Sequence, residues 1–481
     1  MAVVTEISPG ADGKAIHDAE KDTAATNKTP SPDETTARLA HDWTPTKKVF
    51  AASTIIYMNF NTTLGSSLPS GAGNALNDAF GVTSEKQKPL PVVVFLIGYT
   101  IGPIFAPLSE AYGRRPIFLV SFAVYTAFTL GCALAPNWPS FLFFRFLQGC
   151  GAAAPQTVSN GLFSDIYPDL KQRGRAVTVL GLTSNVGPLI GPIISGFSSS
   201  QNWKWQFWIA LVMTAANWPM LLSMQETYSP VLRAREIGFH DSAKTPSFKE
   251  ILLVLLRPIR ITAEPLVFFT DLFILYQYII FFLYFGMYPL VFQDTYGLSP
   301  GVSALMFLGT GLGGVLAIFI FLAWERFHTR AEQHGRAWAL REEYRRLPLA
   351  CLGGPLFAIS EFWLGWSARP DIHWIVPALS GIPLGIGIDL TFMALNNYLT
   401  DAYGIYSASA TASSVVTRNI FASIIIPLST YPLYNNLGAS WACTLLGGLC
   451  CLMTPIPFVF LRWGAALRAR SPFCRQLNEI G

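Results

Sequence analysis

From Val49 onward the chain alternates long apolar stretches with short polar ones. Stretches of about 20 residues recur, each long enough as an α-helix to cross some ~30 Å of hydrocarbon. They fall near residues 49–69, 90–110, 115–135, 138–164, 176–198, 205–224, 264–291, 301–324, 347–367, 373–398, 406–430 and 439–461. The pattern predicts an all-α membrane protein of twelve transmembrane helices, with very tight turns near 110–115 and 135–138. A polar stretch, Gln225 to Ala263, divides six spans from six. The first 45 residues are rich in Asp, Glu, Lys, Thr, Ser and Pro and hold few large apolar side chains. They cannot bury enough surface to offset the entropy of ordering, so a disordered tail is expected. No short apolar core with a small-residue cleavage site opens the chain, so the first span itself is expected to direct insertion. The expected division is a tail at 1–45, six-helix halves at 46–224 and 264–463, a loop at 225–263 between them, and a tail at 464–481.

Composition supports this reading. Of 481 residues, 51% are hydrophobic, 14% aromatic and only 13% charged, against about 25% charged in an ordinary soluble domain. Charge is too scarce to solvate the several soluble domains that this length implies. That excludes a cytosolic enzyme and a secreted disulfide scaffold, and a net charge of +4 is too small and scattered for a nucleic-acid footprint. The seven cysteines (Cys132, Cys150, Cys351, Cys443, Cys450, Cys451 and Cys474) show no metal-ligand spacing and are expected to pack as small apolar residues. Orientation follows from the basic residues, because cytoplasmic loops retain Lys and Arg. With the N-terminus inside, 27 of the 33 Lys and Arg residues fall on the cytoplasmic side, and two, Arg145 and Arg418, fall within spans. Both termini are therefore expected in the cytoplasm.

An internal echo suggests duplication. Phe80-Gly81-Val82-Thr83 precedes the second span, and Tyr296-Gly297-Leu298-Ser299 precedes the eighth. Corresponding positions six spans apart fit two pseudo-symmetric halves rocking around a central site.

Three motifs sharpen the picture. Between the second and third spans, Glu110-Ala111-Tyr112-Gly113-Arg114-Arg115-Pro116 makes a tight turn, with Gly stopping one helix and Pro starting the next. The fourth span holds Arg145-Phe146-Leu147-Gln148-Gly149 and ends at Ser164-Asp165-Ile166-Tyr167. The fifth carries Gly187-Pro188-Leu189-Ile190-Gly191-Pro192, followed by Ser195-Gly196. The acid–x–x–Gly–Arg–Arg spacing resembles the loop 2–3 signature of the major facilitator superfamily, with Ala106 and Glu110 where that signature has Gly and Asp. The Arg–x–x–Gln–Gly pattern also matches that superfamily, and the Gly-Pro-rich motif resembles that of its drug:proton antiporter branch, with Ser195 departing from its final Gly pair. With Tyr398-Leu399-Thr400-Asp401, Arg418, Pro427-Leu428 and Pro455-Ile456-Pro457, the chain from Trp43 to Pro472 looks like the twelve-span drug:H+ antiporters of fungi. The resemblance implies export of a small organic compound by proton antiport.

Candidate site residues follow. A charge within a span costs at least ~2.5 kcal/mol and normally faces a cavity or a partner. Arg145 either braces helices through backbone carbonyls or, as the resemblance implies, couples substrate and proton occupancy. Arg418 divides evenly between the same two roles. Proton coupling needs a group whose charge can change. The intramembrane carboxylates are Asp271 and Asp389, with Glu361 ranked third because it lies toward the outer face. Asn59, Gln156, Tyr276, Gln277, Tyr284 and Asn396 carry polar handles suited to an amphiphilic pocket for an apolar or aromatic solute. Glu110, Gly113, Arg114, Arg115 and Asp165 are expected to form a cytoplasmic gate. Gly187, Pro188, Gly191 and Pro192 would bend and pack the fifth helix tightly enough to seal the path against proton leak.

The nearest rival is an importer, symporter or facilitator of a small nutrient, polyamine or organic acid on the same fold. A membrane-embedded enzyme is disfavoured, because the six histidines lie in tails, loops or at a span edge. No GxxxxGK[ST] loop is present, so an ion gradient rather than ATP is the expected energy source. The expected partners are a small-molecule substrate, protons and the lipid bilayer, with no nucleic acid, no cofactor and no metal. The chain is expected to act as a monomer in the plasma membrane, with the vacuolar membrane as the alternative.

Overall fold

The computed structural model describes residues 40–236, 261–403 and 407–470. Most of the expected N-terminal tail, residues 237–260 of the central loop and residues 471–481 lie outside these. The described residues are helical and include no strand.

Twelve long spans occupy the expected places. They are α1 (Pro45–Ser67), α2 (Leu90–Tyr112), α3 (Arg114–Leu134), α4 (Trp138–Ile166), α5 (Leu170–Ser198) and α6 (Trp205–Ser223). Then come α7 (Pro265–Tyr296), α8 (Pro300–Gln333), α9 (Glu342–Ser367) and α10 (Ile375–Tyr403). The helical run Ser407–Met453 breaks at Gly438 (φ 71°, ψ 169°), a backbone that only glycine adopts without strain. It is therefore two spans, α11 before the break and α12 after it, with α12 continuing into Pro455–Arg470.

Several helices outrun their apolar stretches on one face. α8 continues to Gln333 and α9 begins at Glu342, past the apolar limits near 324 and 347. Arg326, Arg330 and Arg345 lie in these extensions; Arg is a good helix former, and its long side chain reaches the polar interface. Hydropathy marks the hydrocarbon window, not the helix.

Eight of the spans are long and apolar enough to cross a membrane by composition alone. The remaining ones, α1, α4, α6 and α11, dilute their hydropathy with polar side chains that the fold buries. Thr62, Ser67, Arg145, Gln148, Gln206, Asn217 and Asn419 are all fully buried, while Val212, Leu428 and Phe143 are exposed. Apolar outside and polar inside is the arrangement a lipid solvent demands.

The spans alternate in direction. The starts of α1, α3 and α9 and the ends of α4, α6, α10 and α12 meet on one face, called here the terminal face. Toward the opposite, far face one apolar core joins both halves, with Val92, Val93, Leu96 and Leu189 packed among Phe285, Phe307 and Ile426. Toward the terminal face the cores separate. Met58, Phe118 and Phe163 belong to one half, and Val267, Phe273 and Tyr398 to the other. Gly196 on α5 sits against Pro300 and Gly301 at the start of α8, so close that an added Cβ would lie 3.0 Å from backbone atoms. The far face is closed between the halves.

Candidate functional site

The Gly-Pro segment of α5 packs on α1. Pro192 has no N–H, so the carbonyl of Pro188, four residues earlier, loses its helix partner. The Ser67 hydroxyl of α1 donates to that carbonyl at 2.6 Å. Gly191 makes the approach possible, since a Cβ there would fall 2.4 Å from Ser67 Oγ, and one on Gly187 would fall 2.3 Å from Thr63 Oγ1. Asn59, also on α1, donates to Ser184 Oγ at 2.8 Å. Asn59 therefore joins α1 to α5 within one half.

Arg145 is fully buried near the start of α4. Its Nε donates to Pro91 O (2.9 Å), Nη1 to Gly65 O (2.9 Å) and Gln148 Oε1 (2.7 Å), and Nη2 to Ser66 O (3.1 Å). Gly65 and Ser66 end α1, so the guanidinium supplies donors to carbonyls that the helix end leaves orphaned and sits at the negative end of its dipole. The Phe95 ring lies 4.7 Å away, and Gln148 is held in turn by Thr129. Four of five N–H donors are thus committed to structure. The geometry is that of the brace.

At the terminal face Gly113 (φ 102°) turns the chain between α2 and α3. Arg114 meets Asp165 at the end of α4 (3.2 Å) and Ser109 Oγ (2.6 Å). The organising acid is Glu226, which the sequence reading missed. Its carboxylate accepts the backbone N–H groups of Arg114, Arg115, Thr227 and Tyr228 at 2.9–3.0 Å. Arg114 and Arg115 open α3, so Glu226 caps that helix with a negative charge. Arg115 reaches Leu222 O on α6. Glu110 is exposed at the edge of this cluster, within electrostatic reach of Tyr228, whose ring lies 4.8 Å from the Arg114 guanidinium. The other half repeats the plan. Arg346 at the start of α9 pairs with Asp401 at the end of α10 (3.2 Å), within Thr400-Asp401-Ala402-Tyr403 as Asp165 lies within Ser164-Asp165-Ile166-Tyr167. Each of these clusters stays inside one half.

Asp389 is different. It lies midway along α10, 5% exposed, and accepts a hydrogen bond from the side chain of Asn185, midway along α5. The bond crosses from one half to the other. Gly314 of α8 leaves the room, since a Cβ there would lie 2.5 Å from Asp389 Oδ2. A crevice around the pair is lined by Leu189, Phe281, Thr310 and Ile388. Gln277, whose amide is buried without a hydrogen-bond partner among the described residues, is four residues before Phe281 on the same face of α7.

The other candidates spread out. Asp271 near the start of α7 accepts from Ser413 of α11 (2.8 Å). Tyr276 donates to Leu446 O on α12, and Tyr284 faces the fully buried Glu361 on α9, so both tyrosines turn into their own half rather than toward the crevice. Gln156 on α4 and Asn396 on α10 are half-buried.

A model of the Major Facilitator Superfamily matches residues 49–427. The chain belongs to the major facilitator superfamily. Like other members of that superfamily it is a multi-pass membrane transporter of small molecules, not an enzyme. It is 35% identical to the "Efflux pump FUBT" of Fusarium oxysporum over 437 residues, 87% of this chain and 73% of the relative. It is 33% identical to the "Major facilitator superfamily multidrug transporter mdrA" of Aspergillus fumigatus over 458 residues, 91% and 74% of the two chains. Among solved major facilitator structures, it superposes on the proton:xylose symporter XylE bound to 6-bromo-6-deoxy-D-glucose with a TM-score of 0.62. The match covers 87% of this chain and 97% of that one at 17% identity, which establishes the shared fold. In this fold the Asn185–Asp389 pair joins a helix of the first six spans to one of the last six.

Proposed function

We propose that this transporter exports a small amphiphilic organic compound in exchange for protons by alternating access, and that Asp389 carries the exchanged proton. The reading rests on one observation, a mid-depth carboxylate hydrogen-bonded across the junction between the halves. An ionised acceptor makes a bond roughly twice as strong as a neutral one. Proton binding at Asp389 therefore weakens the link between α5 and α10, and proton release restores it. With the basic terminal face in the cytoplasm, the closed far face is the external one, and the ionised link belongs to the state open to the cell interior. A compound entering there competes for the crevice around Asp389. Export, rather than import, is favoured by the efflux and multidrug relatives and by the Gly-Pro motif of α5. The plasma membrane is the expected location.

The test is transport of fluorescent amphiphilic drugs into liposomes holding the purified protein, under an imposed pH gradient. Asp389→Asn keeps an acceptor for Asn185 but cannot ionise. It is expected to lose gradient-driven accumulation while retaining downhill exchange of substrate. Accumulation equal to wild type in Asp389→Asn overturns the assignment of the proton to this residue, and accumulation in wild type that survives collapse of the gradient overturns proton coupling.

A further inference from the structure

Arg418, on α11, is 5% exposed and unlike every other well-buried arginine described above. Arg145, Arg114 and Arg346 each spend their donors on carbonyls or carboxylates. Among the described residues the guanidinium of Arg418 finds no hydrogen-bond acceptor, its Nε is buried, and no carboxylate lies within 4 Å of it. It rests between the rings of Tyr278 (5.0 Å) and Phe392 (5.5 Å). Phe392 is three residues after Asp389, so the two share a face of α10, about one helical turn (~5 Å) apart. From the other half, the Tyr99 hydroxyl of α2 is buried without a hydrogen-bond partner among the described residues and lies within electrostatic reach of Arg418 and Tyr278. Asp271 of α7 lies within electrostatic reach of Arg418; its Oδ2 accepts from Ser413, and its Oδ1 is buried without a hydrogen-bond partner among the described residues.

We infer that Arg418 is the subsite for an anionic group, so that the exported compound is an amphiphilic acid. A permanently charged, 5% exposed guanidinium whose buried Nε has no acceptor among the described residues is costly to keep. An anion completes it: a carboxylate takes two parallel N–H bonds from the guanidinium, with the Tyr99 hydroxyl supplying a third donor from the opposite half. The apolar body of the ligand lies along Tyr278, Phe392 and Phe281, toward the crevice at Asp389. A cationic solute is the poorer fit at this end of the junction, where its charge would face the guanidinium. The ligand so placed touches α2 of one half and α7, α10 and α11 of the other. This rests on the proposal that the junction between the halves is the transport path.

The experiment is equilibrium binding to the full-length protein in lipid nanodiscs at pH 7.5, with 1-naphthoate, 1-naphthamide and 1-naphthylmethylamine as isosteric acid, neutral and cationic probes. Wild type is expected to bind the acid at least about tenfold more tightly than either of the others, the strength of a charge-assisted hydrogen bond. Arg418→Gln should bring the acid down to the level of the amide without changing amide binding. Arg418→Lys, which keeps the charge but not the fork, should retain a reduced preference for the acid. Acid binding no tighter than amide binding in wild type, which needs no variant, overturns the inference. So does a preference that survives Arg418→Gln. Binding is read without any gradient, so its outcome is separate from that of proton coupling: an anion preference can stand where the Asp389→Asn test fails, and the reverse.

Discussion

Replacing Arg145 by Ala separates a brace from a coupling group. The guanidinium serves three backbone carbonyls and the Gln148 amide. Pro91 O lies inside a helix and keeps a partner of its own, but Gly65 O and Ser66 O lie at the end of α1, and Pro69 has no N–H to offer the first of them. Truncation leaves these two buried acceptors short of a donor at about 1–3 kcal/mol each. The expected loss is thus some ~2–6 kcal/mol, a large fraction of a stability on the order of 5–15 kcal/mol. For a folding unit the size of one half, each kcal/mol moves a melting midpoint by about 2–4 °C. Arg145→Ala is therefore expected to melt at least ~4 °C below wild type by fluorescence-detected size exclusion in detergent. Arg145→Lys should recover only part, because one ammonium cannot span the end of α1, the start of α2 and Gln148 together. Downhill exchange by the protein that remains folded should be near normal. An unchanged midpoint with loss of proton-driven accumulation would refute the reasoning and return the coupling role to Arg145.

Two further outcomes test the local geometry. Ser67→Ala removes the donor that answers Pro188 O; a loss of about 1–3 kcal/mol is expected, read as a lowered melting midpoint, and a midpoint equal to wild type would show that the carbonyl finds another donor. Glu226→Ala strips the acceptor from four backbone N–H groups and should destabilise by ~2 kcal/mol or more, whereas Glu110→Gln, at an exposed side chain, should stay within about 0.5 kcal/mol and leave transport rates unchanged; equal slowing of transport by both would put Glu110 back in the gate.

What the sequence disclosed and what it hid differ in physical kind. The twelve spans were legible because lipid imposes a length and a hydropathy on each, and neither depends on what the span touches. Arg145, Arg418 and the intramembrane acids were legible because a charge there is costly wherever it points. Their roles were not, because a role is set by partners on other helices. Arg145 and Arg418 look alike in sequence, yet one is spent on the end of α1 and the other rests against two rings with no hydrogen-bond acceptor among the described residues. Asn185 and Glu226 escaped notice for a related reason. An amide within a span and an acid at the head of a polar loop carry no signal of their own until Asp389 or the start of α3 is brought to them. One missed partner did leave a trace. A proline within a helix always orphans the carbonyl four residues before it. Pro192 therefore announced that some donor must answer Pro188 O, and the run of hydroxyls from Thr62 to Ser67 on α1 was the place to seek it. The repeat was hidden in the same way. Asp165 and Asp401, each in a Ser/Thr-Asp-x-Tyr ending, become counterparts once Arg114 and Arg346 are seen to close on them at the same face of each half. Both halves thus tie their terminal-face helices internally, while Asn185 and Asp389 join them at mid-depth. A molecule built this way ties each half internally, and the polar link at mid-depth, added to the apolar contacts of the far face, is the one that the proposed protonation of Asp389 would weaken.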